Sequence, residues 1–221
     1  MIALIDYKAG NLTSVKKALA TIGADVFVPS APADLADVSG IIVPGVGHFG
    51  ATRALDHAWI DAILARVGEG RPLFGICLGM QWLFEGSEEA PELAGLGLLS
   101  GRCYRLAGRP QSTVHDPHST IHDPQSATQN PQPVKVPHVG WNSLAIQREG
   151  GLLDQVTDGS QVYFTHSYVA PVTGDTRAVT EHGEAFAAAV QRGHIGGVQF
   201  HPEKSGEVGL RILRNFVELA G

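Results

Sequence analysis

Short, nearly uninterrupted apolar runs at residues 2–5, 26–28, 41–43 and 73–76 constrain the fold more than any other feature of the chain. Between them, Leu12, Val15, Leu19 and Ile22 recur at helical spacing and stop at Gly23, and Trp59, Ile60, Ile63, Leu64 and Val67 repeat the pattern. Strands that read as continuous apolar runs and alternate with helices belong to a parallel sheet covered on both faces. The second half changes character. Strand-like stretches at 98–106, 161–164, 177–180, 185–191 and 195–200 predict added antiparallel pairing, and a last helix carries Leu210, Leu213, Phe216 and Val217. The expected class is α/β: a mostly parallel central sheet flanked by helices, with antiparallel strands appended.

A chain of 221 residues, 43% hydrophobic and 17% charged, can bury a sizeable core and reads as one domain spanning 1–221. Sixteen basic residues against 22 acidic ones give a formal charge of -6, which argues against nucleic-acid binding. No stretch approaches the roughly 18 apolar residues of a membrane span, and the first residues show no basic leader or cleavage site, so no membrane association is expected. Cys77 and Cys103 are too few for a disulfide framework, which predicts a reducing, cytoplasmic setting. Cys103, on a strand-like stretch, reads as a small core residue.

Residues 108–133 stand apart. This segment is rich in Pro, Ser, Thr, His and Gln and contains the near-repeat VHDPHST and IHDPQSA. It lacks the apolar residues that would offset ordering entropy, so a flexible surface insertion is expected there. Its histidines, His115, His118 and His122, read as solvated loop rather than as ligands, and no metal site is expected.

The densest chemical signal is GICLGMQ at residues 75–81, where a buried strand gives way to a helix carrying Trp82, Leu83 and Phe84. A nucleophile on a sharp strand-to-helix turn needs tiny neighbours two residues before and two after, and Gly75 and Gly79 flank Cys77 at those offsets. The turn also sets the thiol at a helix N-terminus, where the dipole favours thiolate, so Cys77 is expected to be exposed and activated. The alternative is a buried cysteine in a glycine-rich turn, or a phosphate cradle.

A thiolate nucleophile needs a base, and the base needs an acceptor that fixes its tautomer. QFHPEKS supplies both as His201 and Glu203, at the end of a strand, where open α/β sheets gather their sites. Acyl transfer also develops a negative oxygen that must meet N–H donors. The backbone N–H of Leu78, the residue after Cys77, is one candidate, and PGVG at residues 44–47 offers another. On spacing alone PGVG reads equally well as a simple turn.

These three segments in this order resemble the class I glutamine amidotransferases, which have a flavodoxin-like fold and cleave the glutamine side-chain amide through a glutamyl thioester. Within that family, DYKAGNLTSV, QWLFEGSEE, KVPHVGWN, YFTHSY and HPEKS look like the glutaminase subunit of imidazole glycerol phosphate synthase, an enzyme of histidine biosynthesis. The likeness spans nearly the whole chain except the insertion. It implies Cys77 as nucleophile, His201 as general base and then acid, and Glu203 as its orienter. It further implies Val46 and Leu78 as oxyanion donors, and Gly47, Gln81, Ser167 and Tyr168 as the residues that hold L-glutamine. Trp141, Tyr163 and Lys204 should face the partner, a cyclase subunit that receives the ammonia in a heterodimer, although Trp141 and Tyr163 also suit a core. The resemblance implies no cofactor. It also implies weak activity until the partner binds, because the PGVG strand must be correctly oriented.

Two departures from the family pattern stand out. Lys8 replaces a usual glycine, which counts against a left-handed backbone there, and the insertion before Lys135 is longer than the family norm. Three alternatives remain open on sequence: a glutaminase of another pathway, a catalytically silent α/β partner-binding module, and a stress-related cysteine hydrolase or chaperone of similar fold.

Overall fold

The computed structural model describes residues 1–107 and 134–221. The chain opens with β1 (Ile2–Leu4), α1 (Leu12–Thr21), β2 (Val26–Phe27), β3 (Gly40–Val43), α2 (His57–Gly68), β4 (Leu73–Ile76) and a short α3 (Leu78–Trp82). It continues through β5 (Gly86–Ser87), β6 (Arg102–Arg105), β7 (His138–Ser143), β8 (Ala145–Ile146), β9 (Gln161–His166) and β10 (Tyr168–Val169). β11 (Thr176–Glu181), β12 (Ala185–Arg192), β13 (Ile195–Val198) and α4 (Gly206–Leu219) close it.

Eight strands form the main sheet in the order β2-β1-β3-β4-β13-β12-β11-β8. Neighbours from β2 to β13 pair in parallel, and β12, β11 and β8 extend the sheet antiparallel, as the change of pattern along the sequence predicts. β10-β6-β5 make a small second sheet, and β7 pairs with β9 as a two-stranded ribbon.

Strand side chains alternate between faces, so a strand apolar at every position feeds two cores. Ile2, Leu4, Ile42, Phe74 and Ile76 pack on one face with Val15 and Leu19 of α1 and Leu213 and Phe216 of α4. Ala3, Ile5, Ile41, Val43 and Leu73 pack on the other with Ile63 and Val67 of α2 and with Trp82. Phe74 and Phe216 stack with ring centroids 5.1 Å apart, fixing α4 over the centre of the sheet. α2 starts where the Asp56 carboxylate accepts the Trp59 N–H at 3.1 Å, a side-chain N-cap. Cys103 is buried on β6, as a small core residue should be.

The helix after the elbow is shorter than its apolar run predicts. It ends at Trp82, because Leu83 and Phe84 turn away to lead into β5. Lys8 departs from expectation in the opposite sense. Its φ of 61° is left-handed, and its N–H donates to Asp6 Oδ1 at 2.9 Å, so an aspartate-stabilised turn holds a conformation usually left to glycine. The sequence also hid β7, whose Gly140 and alternating polar residues disguise a strand with only one covered face. Residues 108–133, with His115, His118 and His122, lie outside the described residues.

Candidate active site

β3, β4 and β13 are adjacent and parallel, with Val43 opposite Gly75 and Val198 opposite Ile76, so the segments leaving their carboxyl ends emerge side by side. Those segments are PGVG, Cys77 and the stretch ending in His201. Cys77 sits between β4 and α3 at φ 52°, ψ −106°, a strained conformation for any residue but glycine. The flanking glycines are sterically required. A Cβ on Gly75 would come within 2.5 Å of the Gly79 carbonyl group, and one on Gly79 would lie 1.8 Å from the Val43 carbonyl oxygen. The Cys77 N–H donates to Val198 O at 2.8 Å, tying the elbow to β13. The thiol is less exposed than expected: Cys77 is 5% exposed and lines a cavity.

His201 follows β13 and begins a single 3₁₀ turn, Pro202–Lys204. Its Nδ1 lies 2.8 Å from Glu203 Oε1, and both side chains are 1% exposed. The backbone around it is fastened twice to β9. The His201 N–H donates to Tyr163 O at 2.8 Å, while the Ser205 hydroxyl donates to His201 O at 2.6 Å and accepts the Tyr163 N–H at 3.0 Å. Burial works against protonation of His201, but Cys77 and the Glu203 carboxylate more than offset it and raise the pKa from 6.5 to about 9. Its Nε2 is close enough to feel Cys77 yet completes no hydrogen bond within the chain, leaving that nitrogen open to trade a proton.

The cavity beside Cys77 has a volume of about 310 Å³, and Gly47, Gln81, Ser167 and Tyr168, all singled out from the sequence, line it. The sequence reading missed two polar residues here. Gln199, fully buried, accepts the Gln81 Nε2–H at 3.1 Å and donates its own Nε2–H to Cys77 Sγ at 3.6 Å. The Tyr168 carbonyl, which accepts from Gln81 Nε2 at 2.8 Å, sets the direction of that relay. Glu89 is the acid of the cavity, and its Oε2 accepts the Phe49 N–H at 2.6 Å. Both left a trace in the sequence: a glutamine inside the apolar run before His201, and an acidic pair in QWLFEGSEE.

The expected oxyanion donors are both engaged elsewhere. The Leu78 N–H donates to Gly45 O at 3.3 Å and the Val46 N–H to Ala9 O at 2.8 Å, so neither points a free hydrogen at the cavity. Gly47, at φ 96°, occupies the left-handed region that its glycine permits. The residues read as partner-facing cluster on the ribbon. Trp141 of β7 sits opposite Tyr163 of β9 with ring centroids 6.1 Å apart, and Lys204 Nζ lies 5.6 Å above the Tyr163 ring. Trp141 is not core: it is 57% exposed.

A buried histidine pair backs the ribbon. His138 Nδ1 approaches His166 Nε2 at 3.2 Å, and His166 borders the cavity. Burial, then the charge of His182, lowers the His138 pKa to about 4, and burial likewise holds His166 well below the usual range.

A cysteine at a strained elbow, a histidine open at Nε2 and a carboxylate behind it can carry out acyl transfer from an amide. The model of the family described as glutamine amidotransferase class-I matches residues 3–219. The chain belongs to the class I glutamine amidotransferases. This amidotransferase is 43% identical to the "Imidazole glycerol phosphate synthase subunit HisH" of Halobacterium salinarum, covering 98% of this chain and 92% of that one. It is 40% identical to the subunit of the same name from Methanothermobacter thermautotrophicus, over 99% of this chain and 98% of that one. Such identity over nearly whole chains puts it in the HisH family. Among solved structures, a "glutamine amidotransferase" superposes with a TM-score of 0.69 over 100% of both chains at 20% identity. A chain of "PurLQS from Thermotoga maritima" reaches 0.69 at 16% identity over 98% of this chain and 97% of that one. At those identities the likeness bears on the fold, and it is the amidotransferase α/β fold.

Proposed function

We propose that the chain, as one amidotransferase domain spanning 1–221, is the glutaminase subunit of imidazole glycerol phosphate synthase. It hydrolyses L-glutamine to glutamate and ammonia and passes the ammonia to a cyclase subunit. The observation that carries the glutaminase chemistry is the His201–Glu203 contact at 2.8 Å, with His201 Nε2 left open beside Cys77, and the likeness to the HisH relatives supports the synthase.

In this mechanism Glu203 holds the Nδ1–H of His201 and favours the protonated ring, so that the proton His201 takes from Cys77 rests on Nε2. Cys77 Sγ, its proton already on Nε2, attacks the side-chain carbonyl carbon of glutamine. The tetrahedral intermediate collapses when Nε2 returns that proton to the leaving nitrogen, releasing ammonia and leaving a glutamyl thioester. Water, deprotonated by the same nitrogen, cleaves the thioester and yields glutamate. Gln199 donates to the sulfur and Gln81 fixes Gln199. Gly47, Gln81, Ser167 and Tyr168 hold the substrate, and the Glu89 carboxylate suits its α-ammonium group. The chemistry needs no cofactor or metal.

Val46 and Leu78 serve as oxyanion donors only after PGVG reorients, since both N–H groups are occupied at rest. A resting enzyme of low activity, switched on by its partner, follows. Free ammonia released without an acceptor would be wasted. Exposed Trp141, with Tyr163 and Lys204, provides the surface for the cyclase subunit. The proposed setting is a cytoplasmic heterodimer; none of the helices among the described residues is long and apolar enough to cross a membrane.

The test is glutamate release by the purified chain, alone and with the cyclase subunit plus its nucleotide substrate. Low basal turnover, strong stimulation, and a loss of at least about 10⁴-fold in Cys77→Ala are expected. Turnover that ignores the cyclase would move the chain to another pathway, and no turnover in either condition would make it a silent binding module.

A further inference from the structure

The inference rests on the glutaminase reading above and adds a residue to it. The two blocked oxyanion donors are blocked through a single peptide plane. The Gly45 carbonyl, which accepts the Leu78 N–H, and the Val46 N–H, which donates to Ala9 O, belong to the same planar group. Turning that plane over frees both donors at once and swings the Gly45 carbonyl to the side the Val46 N–H now occupies, against the opening loop.

The turned state is costly in two ways. It changes ψ at Gly45, which glycine tolerates, and φ at Val46, a β-branched residue whose φ is negative at rest. It also takes the Gly45 carbonyl from its donor, Leu78, and brings it toward another carbonyl, that of Ala9. A buried carbonyl without a donor is a penalty, unless a donor is waiting.

One is waiting. Tyr7 lies in the opening loop with its hydroxyl directly against Gly45: a Cβ on that glycine would come 2.0 Å from Tyr7 Oη. Tyr7 is buried, and its hydroxyl has no hydrogen-bond partner at rest. Burial, and next the charge of Cys77, push the phenol far above its ordinary range, so it keeps its proton. The loop that carries it is stiffened by the Asp6–Lys8 turn and packed onto the strand, with Gly10 close enough that a Cβ there would sit 3.6 Å from Gly45 Cα.

We propose that Tyr7 is a positioning residue whose hydroxyl donates to the Gly45 carbonyl once the Gly45–Val46 peptide has turned, favouring the oxyanion-competent state. This accounts for a hydroxyl buried without a partner at rest and for glycine at position 45, where no side chain fits beneath that hydroxyl. The group contacts neither substrate nor reacting atoms, so its effect should appear in the partner-stimulated state.

The test is Tyr7→Phe in the full chain, which removes one oxygen and no packing. The ratio of cyclase-stimulated to unstimulated turnover should fall about tenfold, the effect of one buried hydrogen bond made in one state only. The loss should lie in stimulated kcat with KM for glutamine little changed, and the isolated chain should melt no lower than the wild type, because no bond is lost at rest and an unpartnered buried hydroxyl is removed. A wild-type stimulation ratio in the variant, or an equal fall in both rates, overturns the role of Tyr7. A wild-type enzyme that does not respond to the cyclase sinks the glutaminase-subunit reading and takes this inference with it.

Discussion

Cys77 and PGVG leave neighbouring strands of one sheet, but Gly47 of PGVG does work opposite to that of the elbow glycines. At the elbow, Gly75 and Gly79 are small because backbone presses on them: α3 on Gly75 and the end of β3 on Gly79. At PGVG, the last glycine has nothing within 4 Å of where a Cβ would stand, and a φ of 96° is its reason to be glycine. The elbow half of the site is fixed by packing. The end of PGVG is held by the backbone preference of Gly47 and by the Val46 N–H bond to Ala9 O in the opening loop. If PGVG turns as proposed, a rigid nucleophile beside a movable strand would separate substrate capture from turnover.

The sharpest way to break that contrast is to place the same methyl group in both halves. Gly79→Ala drives a Cβ to 1.8 Å from the Val43 carbonyl oxygen, and because the obstacle is backbone, relief requires β3 or α3 to shift. A loss of about 3 kcal/mol is expected, or roughly 6–12 °C in melting temperature for a chain of this size, together with loss of glutaminase activity. Gly47→Ala meets open space and suffers only the left-handed strain, about 1–2 kcal/mol. Thermal melts of the two variants side by side test this, and equal losses would show that the halves are restrained alike.

Histidines sharpen the contrast between the elbow and the ribbon through pH. His201 has a folded pKa of about 9, above its unfolded 6.5, so the folded state holds its proton more tightly. Its contribution is full below pH 6.5 and fades as pH rises through 9, by about 3 kcal/mol at most, shared with Cys77. His138 runs the other way. Its folded pKa of about 4 means its contribution is present above pH 6.5 and is lost as pH falls toward 4. Chemical denaturation from pH 4 to 9.5 should therefore show His201→Gln flattening the alkaline limb and His138→Gln the acid limb. A variant that flattens the other limb would refute the assignment.

The parallel half of the fold was legible because strands buried on both faces are apolar at every position, and the two-core split at residues 2–5 and 73–76 reflects that pattern directly. Cys77, His201 and Glu203 were legible because an elbow and a tautomer-fixing pair each need particular residues at particular spacings. β7 was not, since a ribbon with one face open to solvent needs no apolar run. Nor was the engagement of Val46 and Leu78, because where a backbone N–H points is set by the loop across from it rather than by the residue that owns it. Gln199 and Glu89 fall between. Their residue types were visible, but their relevance depends on a cavity that only folding assembles.

The smallest effect should come from the segment between the elbow half and the ribbon. On either side of residues 108–133, the described chain is tied to the same β11–β12 turn: the Ala107 N–H donates to Glu184 Oε1 at 2.8 Å, and His182 Nε2 lies 2.8 Å from the Lys135 carbonyl. Both flanks are thus anchored independently of what joins them, and the cost of closing a loop grows only slowly with its length. Deleting residues 111–129 should leave partner-stimulated glutamate release within about twofold of wild type and shift stability by less than about 1 kcal/mol. A large loss of stimulated turnover, with basal turnover intact, would mean instead that the insertion contributes to docking of the cyclase subunit. The surface around Trp141, which follows it in sequence, would then extend into that segment.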